Sequence, residues 1–167
     1  MISNVVIANA LLLLATGSPL KKDADVPNYS YMNMGGGLTV GFFKDNPKVQ
    51  IGDLIVAAKD CSTDTLVCIE AEGIFIAVPD RSVGYAADGT KVKVTSELDV
   101  NFFGLQTHVR IAEAARQSAS YRSWYSSDLG LLAFSITAKG KTATYLLSQK
   151  EGLRAESKRV SKKSAQK

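Results

Sequence analysis

Residues 82–95 read SVGYAADGTKVKVT, and this stretch decides the expected fold class. Residues 82–87 and 91–95 flank Asp88-Gly89, a dipeptide that readily adopts the positive φ values of a two-residue type I′ loop. After the loop, polar and apolar residues alternate in KVKVT, which is typical of a strand with one face in water. The stretch therefore predicts a β-hairpin, and with it an antiparallel sheet.

Apolar stretches on both sides of this hairpin predict further strands. Residues 49–58 and 69–78 are apolar enough for buried strands, and residues 132–136 alternate between large and small side chains. Asn46-Pro47 marks a turn before the first of these stretches. Because tight turns separate most of the stretches, neighbouring strands are expected to pair antiparallel.

One segment, residues 107–120, carries a helical pattern instead. Val109, Ala112 and Ala115 fall on one stripe of a helix, and Thr107 is a suitable N-cap. The small alanines predict that this helix packs closely on a sheet. We therefore expect an α+β, β-rich fold, with an antiparallel sheet or half-barrel of about six to eight short strands and one helix packed on it.

The two cysteines, Cys61 and Cys68, are predicted to form a disulfide. Turn-forming residues lie between them and apolar stretches flank them, so two paired strands would bring the sulfurs together. Oxidising compartments preserve such bonds, whereas the cytosol reduces them. The alternative is two unpaired buried thiols. We expect no metal site, because the spacing is not C-x-x-C and the chain has 1 His.

The N-terminus is uncharged up to Lys21 and contains the apolar run VVIANALLLLA. Residues 1–17 are interpreted as a signal peptide with small residues at its end, although no Lys or Arg precedes the apolar run. The alternative is an N-terminal helix or strand of a cytosolic protein. The run is short for a membrane span, so the mature chain is expected to have none. Residues 18–33 are expected to form an extended lead-in.

The positive charge of the chain, +4, is concentrated at its C-terminus. Residues 154–167 hold six basic residues and one acidic residue, so the remainder carries 14 basic and 15 acidic residues. This segment has too few apolar residues to offset its ordering entropy and is expected to be a disordered basic tail. Its function has two interpretations: a tail that only keeps the chain soluble, or one that contacts an anionic surface such as phospholipid headgroups, cell-wall polymer or nucleic acid. Residues 34–153 are expected to form a single globular domain, and no specific nucleic-acid binding is expected.

Three residues are weak catalytic candidates. His108 is the one histidine, but a general base needs a neighbouring nucleophile or substrate and an orienting group, which the sequence does not identify. Glu70 and Glu72 are spaced to share one face of a strand, as a pair of catalytic carboxylates requires. The more ordinary interpretation of the two glutamates is a solvated strand face.

The segment with Tyr121, Arg122, Trp124 and Tyr125 is the predicted binding site. Tyrosine, tryptophan and arginine are the residue types enriched at interface hot spots, and rings beside an arginine also stack on sugars or bases. The alternative is that some of these rings fill the core beneath the sheet.

Together these features predict a small non-enzymatic binding protein that is periplasmic or extracellular. It would be inhibitor-like, immunity-like or associated with the cell envelope, with a protein or an envelope component as its partner and no cofactor. The alternative is a small hydrolase or transferase whose catalytic residues converge only in the folded chain.

Overall fold

The computed structural model describes residues 26–154, and this part of the chain is built from β-strands and their connections. The predicted signal peptide at residues 1–17 and residues 155–167 of the predicted tail lie outside the described residues. The end of the predicted lead-in forms the first strand, Tyr29–Asn33, in which Tyr31 is fully buried. The folded domain therefore includes this part of the lead-in.

Ten strands form one large sheet in which all neighbours are antiparallel. They are β1 (Tyr29–Asn33), β2 (Thr39–Phe42), β3 (Lys48–Ile51), β4 (Leu54–Ala57), β8 (Val83–Tyr85), β9 (Lys91–Phe102), β10 (Leu105–Arg116), β11 (Ala119–Ser126), β12 (Gly130–Ala138) and β13 (Lys141–Leu147). Their order is β4-β3-β2-β1-β13-β12-β11-β10-β9-β8. The strands β1 to β4 and β8 to β13 are thus two meanders, which the pairing of β1 with β13 joins.

A second sheet of 3 strands packs on the large one. It consists of β5 (Lys59–Asp60), β6 (Thr65–Ala71) and β7 (Ile74–Pro79), with β6 in the middle. All residues of β7 are buried, and the strand contacts β9, β10 and β11. Ile76 belongs to the larger core cluster and Phe75 to the smaller one, so both faces of β7 are covered. This explains why residues 69–78 are continuously apolar.

Aromatic rings form the centre of the larger core cluster. The Tyr31 ring makes edge-to-face contacts with Phe42 at 5.4 Å and with Phe134 at 5.5 Å, and Phe134 stacks on Tyr145 at 4.8 Å. These rings come from β1, β2, β12 and β13, so they pack where the two meanders meet. Aromatic pairs in such geometries contribute about 0.5–1.5 kcal/mol beyond their buried area.

The expected α+β class is wrong, because the described residues form two sheets with no helix packed on them. The segment predicted to be a helix, residues 107–120, forms most of β10 and the start of β11. Ala112 and Ala114 are buried at alternate positions, which is the period of a strand. Val109 and Ile111 are β-branched and favour extended backbone. Pairing of β10 with strands on both sides outweighs the helix propensity of the alanines.

The antiparallel pairing of the strands is confirmed. The expected number of about six to eight short strands is wrong. The described residues form the 13 strands given above, and β9 and β10 have 12 residues each. The predicted hairpin at Asp88-Gly89 joins β8 to β9, yet its loop is longer than two residues because Tyr85 lies opposite Lys91. Asp88 accepts a backbone hydrogen bond from two residues further on, so it forms an Asx turn.

The predicted disulfide between Cys61 and Cys68 is confirmed, with a Cα–Cα distance of 4.9 Å. Both cysteines are buried in the smaller core cluster. Such a bond indicates an oxidising environment, as an exported protein meets. Within the described residues, no helix is long and apolar enough to cross a membrane.

Candidate functional site

The predicted binding segment lies in β11, where side chains alternate between the two faces of the sheet. Tyr121 lies on the inner face, where its ring contacts Phe75 of β7 at 5.4 Å, and Tyr125 is 6% exposed. Arg122 and Trp124 alternate with these tyrosines and lie on the outer face; Arg122 is exposed, whereas Trp124 is half-buried and also packs against the larger core cluster. The structure therefore brings together two of the four predicted residues and assigns the tyrosines to the interior.

The outer face carries an apolar row that crosses five neighbouring strands. Trp124 lies opposite Ile111 of β10 on one side and opposite Ala133 of β12 on the other. Ala133 lies opposite Leu146 of β13, which in turn lies opposite Met32 of β1. Because residues that are directly opposite share a face, these five side chains form one continuous line, which we name the Trp124 row.

Much of the Trp124 row is accessible to solvent. Met32 is 55% exposed and Leu146 is 36% exposed, Ile111 and Trp124 are half-buried, and the small Ala133 between Leu146 and Trp124 is buried. Their inward neighbours Tyr31 and Leu147 are almost fully buried, which identifies the row as the outer side of the sheet. An isolated exposed apolar residue is ordinary, but apolar residues that adjoin across several strands, two of them exposed and two half-buried, are typical of an interaction surface.

An ion pair holds the side chain beside Trp124 in place. The Nε of Arg122 donates to Oε1 of Glu113 at 2.7 Å, and Nη2 of the same guanidinium lies 2.5 Å from that oxygen. The guanidinium carbon lies 5.8 Å from the centre of the Trp124 ring. A cation over the face of an indole at a solvent-accessible site contributes about 0.5–1 kcal/mol. The arrangement preorganises an arginine and an indole side by side on the outer face.

Residues with hydroxyl groups adjoin Arg122 on this face, and one of them, Ser135, is itself buried. Ser135 lies opposite Arg122, and Thr144 lies opposite Ser135. The hydroxyls of Thr137 and Thr142 are hydrogen-bonded to each other at 2.8 Å. The outer face thus has the Trp124 row beside a border of hydroxyl and charged groups. Such a face is suited to contact with the surface of a partner.

His108 lies in a cluster of charged side chains on β9 and β10. Its Nδ1 is 2.9 Å from Oδ1 of Asp99, and its Nε2 is 3.5 Å from Oε2 of Glu97. Arg110 also contacts Glu97, at 3.1 Å. The hydrogen bonds with Asp99 and then with Glu97 raise the pKa of His108. The imidazole is 55% exposed, and in residues 26–154 no hydroxyl or thiol is hydrogen-bonded to it, so it has the surroundings of a surface cation.

Glu70 and Glu72 occupy different surroundings. Glu70 pairs with Arg116 at 2.9 Å, and the same guanidinium contacts Asp88 at 2.9 Å and the Phe75 ring at 5.2 Å. Glu72 is exposed in the turn between β6 and β7. Because Glu70 in β6 forms an ion pair with Arg116 in β10, it connects the two sheets and has the contacts of a structural residue.

A cleft of about 540 Å³ opens in another part of the fold, between the turn that joins β2 to β3 and the strands β5 and β6. It contains none of the residues of the Trp124 row and none of the predicted binding residues. Cys68 and Thr65 belong to its wall. The sequence offered no signal for this cleft, because its two sides are separated along the chain and come together only in the folded protein.

The structure describes no group of three or more His, Cys, Asp and Glu side chains that could hold a metal ion in residues 26–154. Sequence reasoning missed Ile111, Leu146 and Met32 as partners of Trp124. The available signal was an apolar residue at an outward position in each strand, but only the strand register places these residues side by side.

Comparisons with protein-family models, with curated proteins and with solved structures find no match to this chain.

Proposed function

We propose that this chain is an exported, non-enzymatic binding protein that contacts a folded protein partner through the Trp124 row. The observation that carries the proposal is the continuous apolar row across five strands, with Met32 55% exposed and Leu146 36% exposed. The apolar stretch at residues 1–17 would direct export, and the oxidised pair Cys61 and Cys68 supports that location.

The chemistry of the outer face favours a protein partner. Protein interfaces have an apolar centre with a polar rim, and tryptophan and arginine supply most of their binding energy. Here Trp124 and Leu146 provide the apolar centre, while Arg122, Glu113 and Thr144 border it. The rim charges are of opposite sign, so the face has no strong preference for an anionic membrane.

The catalytic alternative has less support from the geometry. Both ring nitrogens of His108 face carboxylates, so neither nitrogen faces a nucleophile from which it could accept a proton. Glu70 is paired with Arg116. A hydrolase would need a nucleophile next to an available base, and neither His108 nor Glu70 supplies such a base.

A site-specific photocrosslinking experiment tests the proposal in cells of the source organism. A photoreactive phenylalanine analogue replaces Leu146 in the row, and in a control variant it replaces Glu72 in the turn of the other sheet. We expect a discrete adduct from position 146, no such adduct from position 72, and loss of the adduct when Trp124→Ala is added.

The captured protein is then purified and titrated against the wild-type chain. Because Trp124 is the one tryptophan of the chain, its emission reports burial at the row without interference from other tryptophans of this protein. A blue shift that saturates, with a partner free of tryptophan or made so, supports direct contact. An adduct that persists in Trp124→Ala, or an emission spectrum that does not change, contradicts the proposal.

A further inference from the structure

The cleft between the β2–β3 turn and strands β5 and β6 has two chemically different parts. Its apolar part includes half-buried side chains that still reach the cleft: Phe43, Ala58, Leu66 and Ile69. Its charged part includes four cations and two carboxylates: Lys44, Lys48, Lys59, Arg154, Asp45 and Asp60. The cleft therefore combines an apolar surface with an excess of positive charge.

Two of the four cations, Lys44 and Lys59, have no anionic partner within residues 26–154. Arg154 lies 3.4 Å from Glu151 and also donates to the Asp128 carbonyl. Lys44 and Lys59, by contrast, make no ion pair in the part of the chain that the structure describes. They approach the cleft from its two sides, one following β2 and the other in β5. Both lysines line the cleft, so an anionic group bound there would find two cations that make no ion pair in residues 26–154.

A buried hydroxyl in the cleft wall also lacks a partner. Thr65 is 7% exposed, and its Oγ1 makes no hydrogen bond within residues 26–154. A buried polar group without a hydrogen bond costs free energy, and in native proteins it often marks a bound water, ion or ligand. Because Thr65 belongs to the wall of the cleft, a bound polar group there is placed to supply the missing partner.

We propose that this cleft binds an amphipathic carboxylate, a molecule with an aliphatic body and one anionic head. The aliphatic body lies against the side chains of Leu66 and Ile69, and the carboxylate lies between Lys44 and Lys59. The volume of about 540 Å³ is within the range of small-molecule sites. This site is separate from the Trp124 row, so it stands or fails independently of the proposed protein partner.

Calorimetric titration of the full folded chain with dodecanoate, below its micellar concentration, tests the proposal. We expect saturable binding that weakens about tenfold in the double variant Lys44→Gln/Lys59→Gln, since two partly screened charge contacts are lost. Lys141→Gln is the matched control, because this lysine is exposed on β13 and does not line the cleft. Its affinity should equal that of the wild-type chain.

Two further probes separate the contributions of head and body. Dodecanol, which has the same body without charge, should bind more weakly than dodecanoate and should not respond to the lysine substitutions. Inorganic phosphate, which has charge without the body, should also bind more weakly than dodecanoate. Binding of phosphate as tight as that of dodecanoate would overturn the aliphatic part of the proposal. Absence of saturable dodecanoate binding, or equal weakening in Lys141→Gln, would overturn the whole.

Discussion

The hydroxyl of Tyr31 accepts a hydrogen bond from the backbone N–H of Leu153 at 3.1 Å, across 122 residues of chain. The same hydroxyl donates to the carbonyl of Leu131 at 2.8 Å. Burial raises the pKa of Tyr31, so the hydroxyl keeps its proton and remains a donor. One side chain thus satisfies two buried backbone groups and connects the first strand with the C-terminal end of the domain.

Replacing Tyr31 by phenylalanine should destabilise the fold without altering its packing. The ring remains, but the Leu131 carbonyl and the Leu153 N–H lose this partner, which costs about 1–3 kcal/mol for a buried group. Urea unfolding with the disulfide intact measures the change. Tyr85→Phe is the control: Tyr85 is 46% exposed, so its free energy of unfolding should change by less than about 0.5 kcal/mol. Equal effects of the two substitutions would contradict this account of Tyr31.

The pKa of His108 should lie above the ordinary histidine value of 6.5, because Asp99 and Glu97 stabilise the imidazolium. The sign follows from linkage: the contribution to stability is present below the unfolded-state pKa and disappears as the pH rises through the higher folded-state pKa. NMR titration of this ring is direct, because the chain has 1 His. We expect Asp99→Asn to lower the pKa, whereas Asp128→Asn should leave it unchanged. If Asp99→Asn leaves the pKa of His108 unchanged, the hydrogen bond between His108 and Asp99 is not maintained in solution.

The disulfide should contribute about 2–3 kcal/mol to the free energy of unfolding, the value that the chain-entropy model gives for so short a loop. The double variant Cys61→Ala/Cys68→Ala removes the bond without leaving reactive thiols. Because both cysteines are buried, their truncation also removes some packing, so wild-type protein with and without reductant is compared alongside. If neither the double substitution nor the reductant lowers the unfolding midpoint, the bond does not constrain the unfolded chain as the chain-entropy model assumes.

Local chemistry was enough to predict the features that depend on neighbouring residues. Cys61 and Cys68 enclose a short turn, and their pairing follows from that separation. Asp88-Gly89 marks a hairpin whichever loop type forms, and the structure places one there. The antiparallel character of the sheet followed from these short connections, since tight turns bring consecutive strands together.

Features that depend on tertiary pairing could not be predicted. Ala112, Ala114 and Ala115 suit a helix in isolation, and only pairing of β10 with both neighbours makes them part of a strand. The Trp124 row needs the register of five strands, including the contact of Met32 with Leu146 from the opposite end of the chain. A shift of one residue in any register would turn an outward side chain inward, and the sequence does not fix those registers.

Two buried threonines should respond in opposite directions to the same substitution. Thr65 is 7% exposed and its hydroxyl has no partner within residues 26–154, whereas Thr107 is 5% exposed and its hydroxyl lies 2.5 Å from that of Ser126. Thr65→Val removes an unsatisfied polar group and should raise the free energy of unfolding by about 1 kcal/mol. Thr107→Val breaks a buried hydrogen bond and should lower it by about 1–2 kcal/mol. Urea unfolding of both variants decides the matter, because valine has nearly the same shape at each site. If Thr65→Val is as destabilising as Thr107→Val, the Thr65 hydroxyl is already hydrogen-bonded in solution. Its partner would then be an ordered water in the cleft.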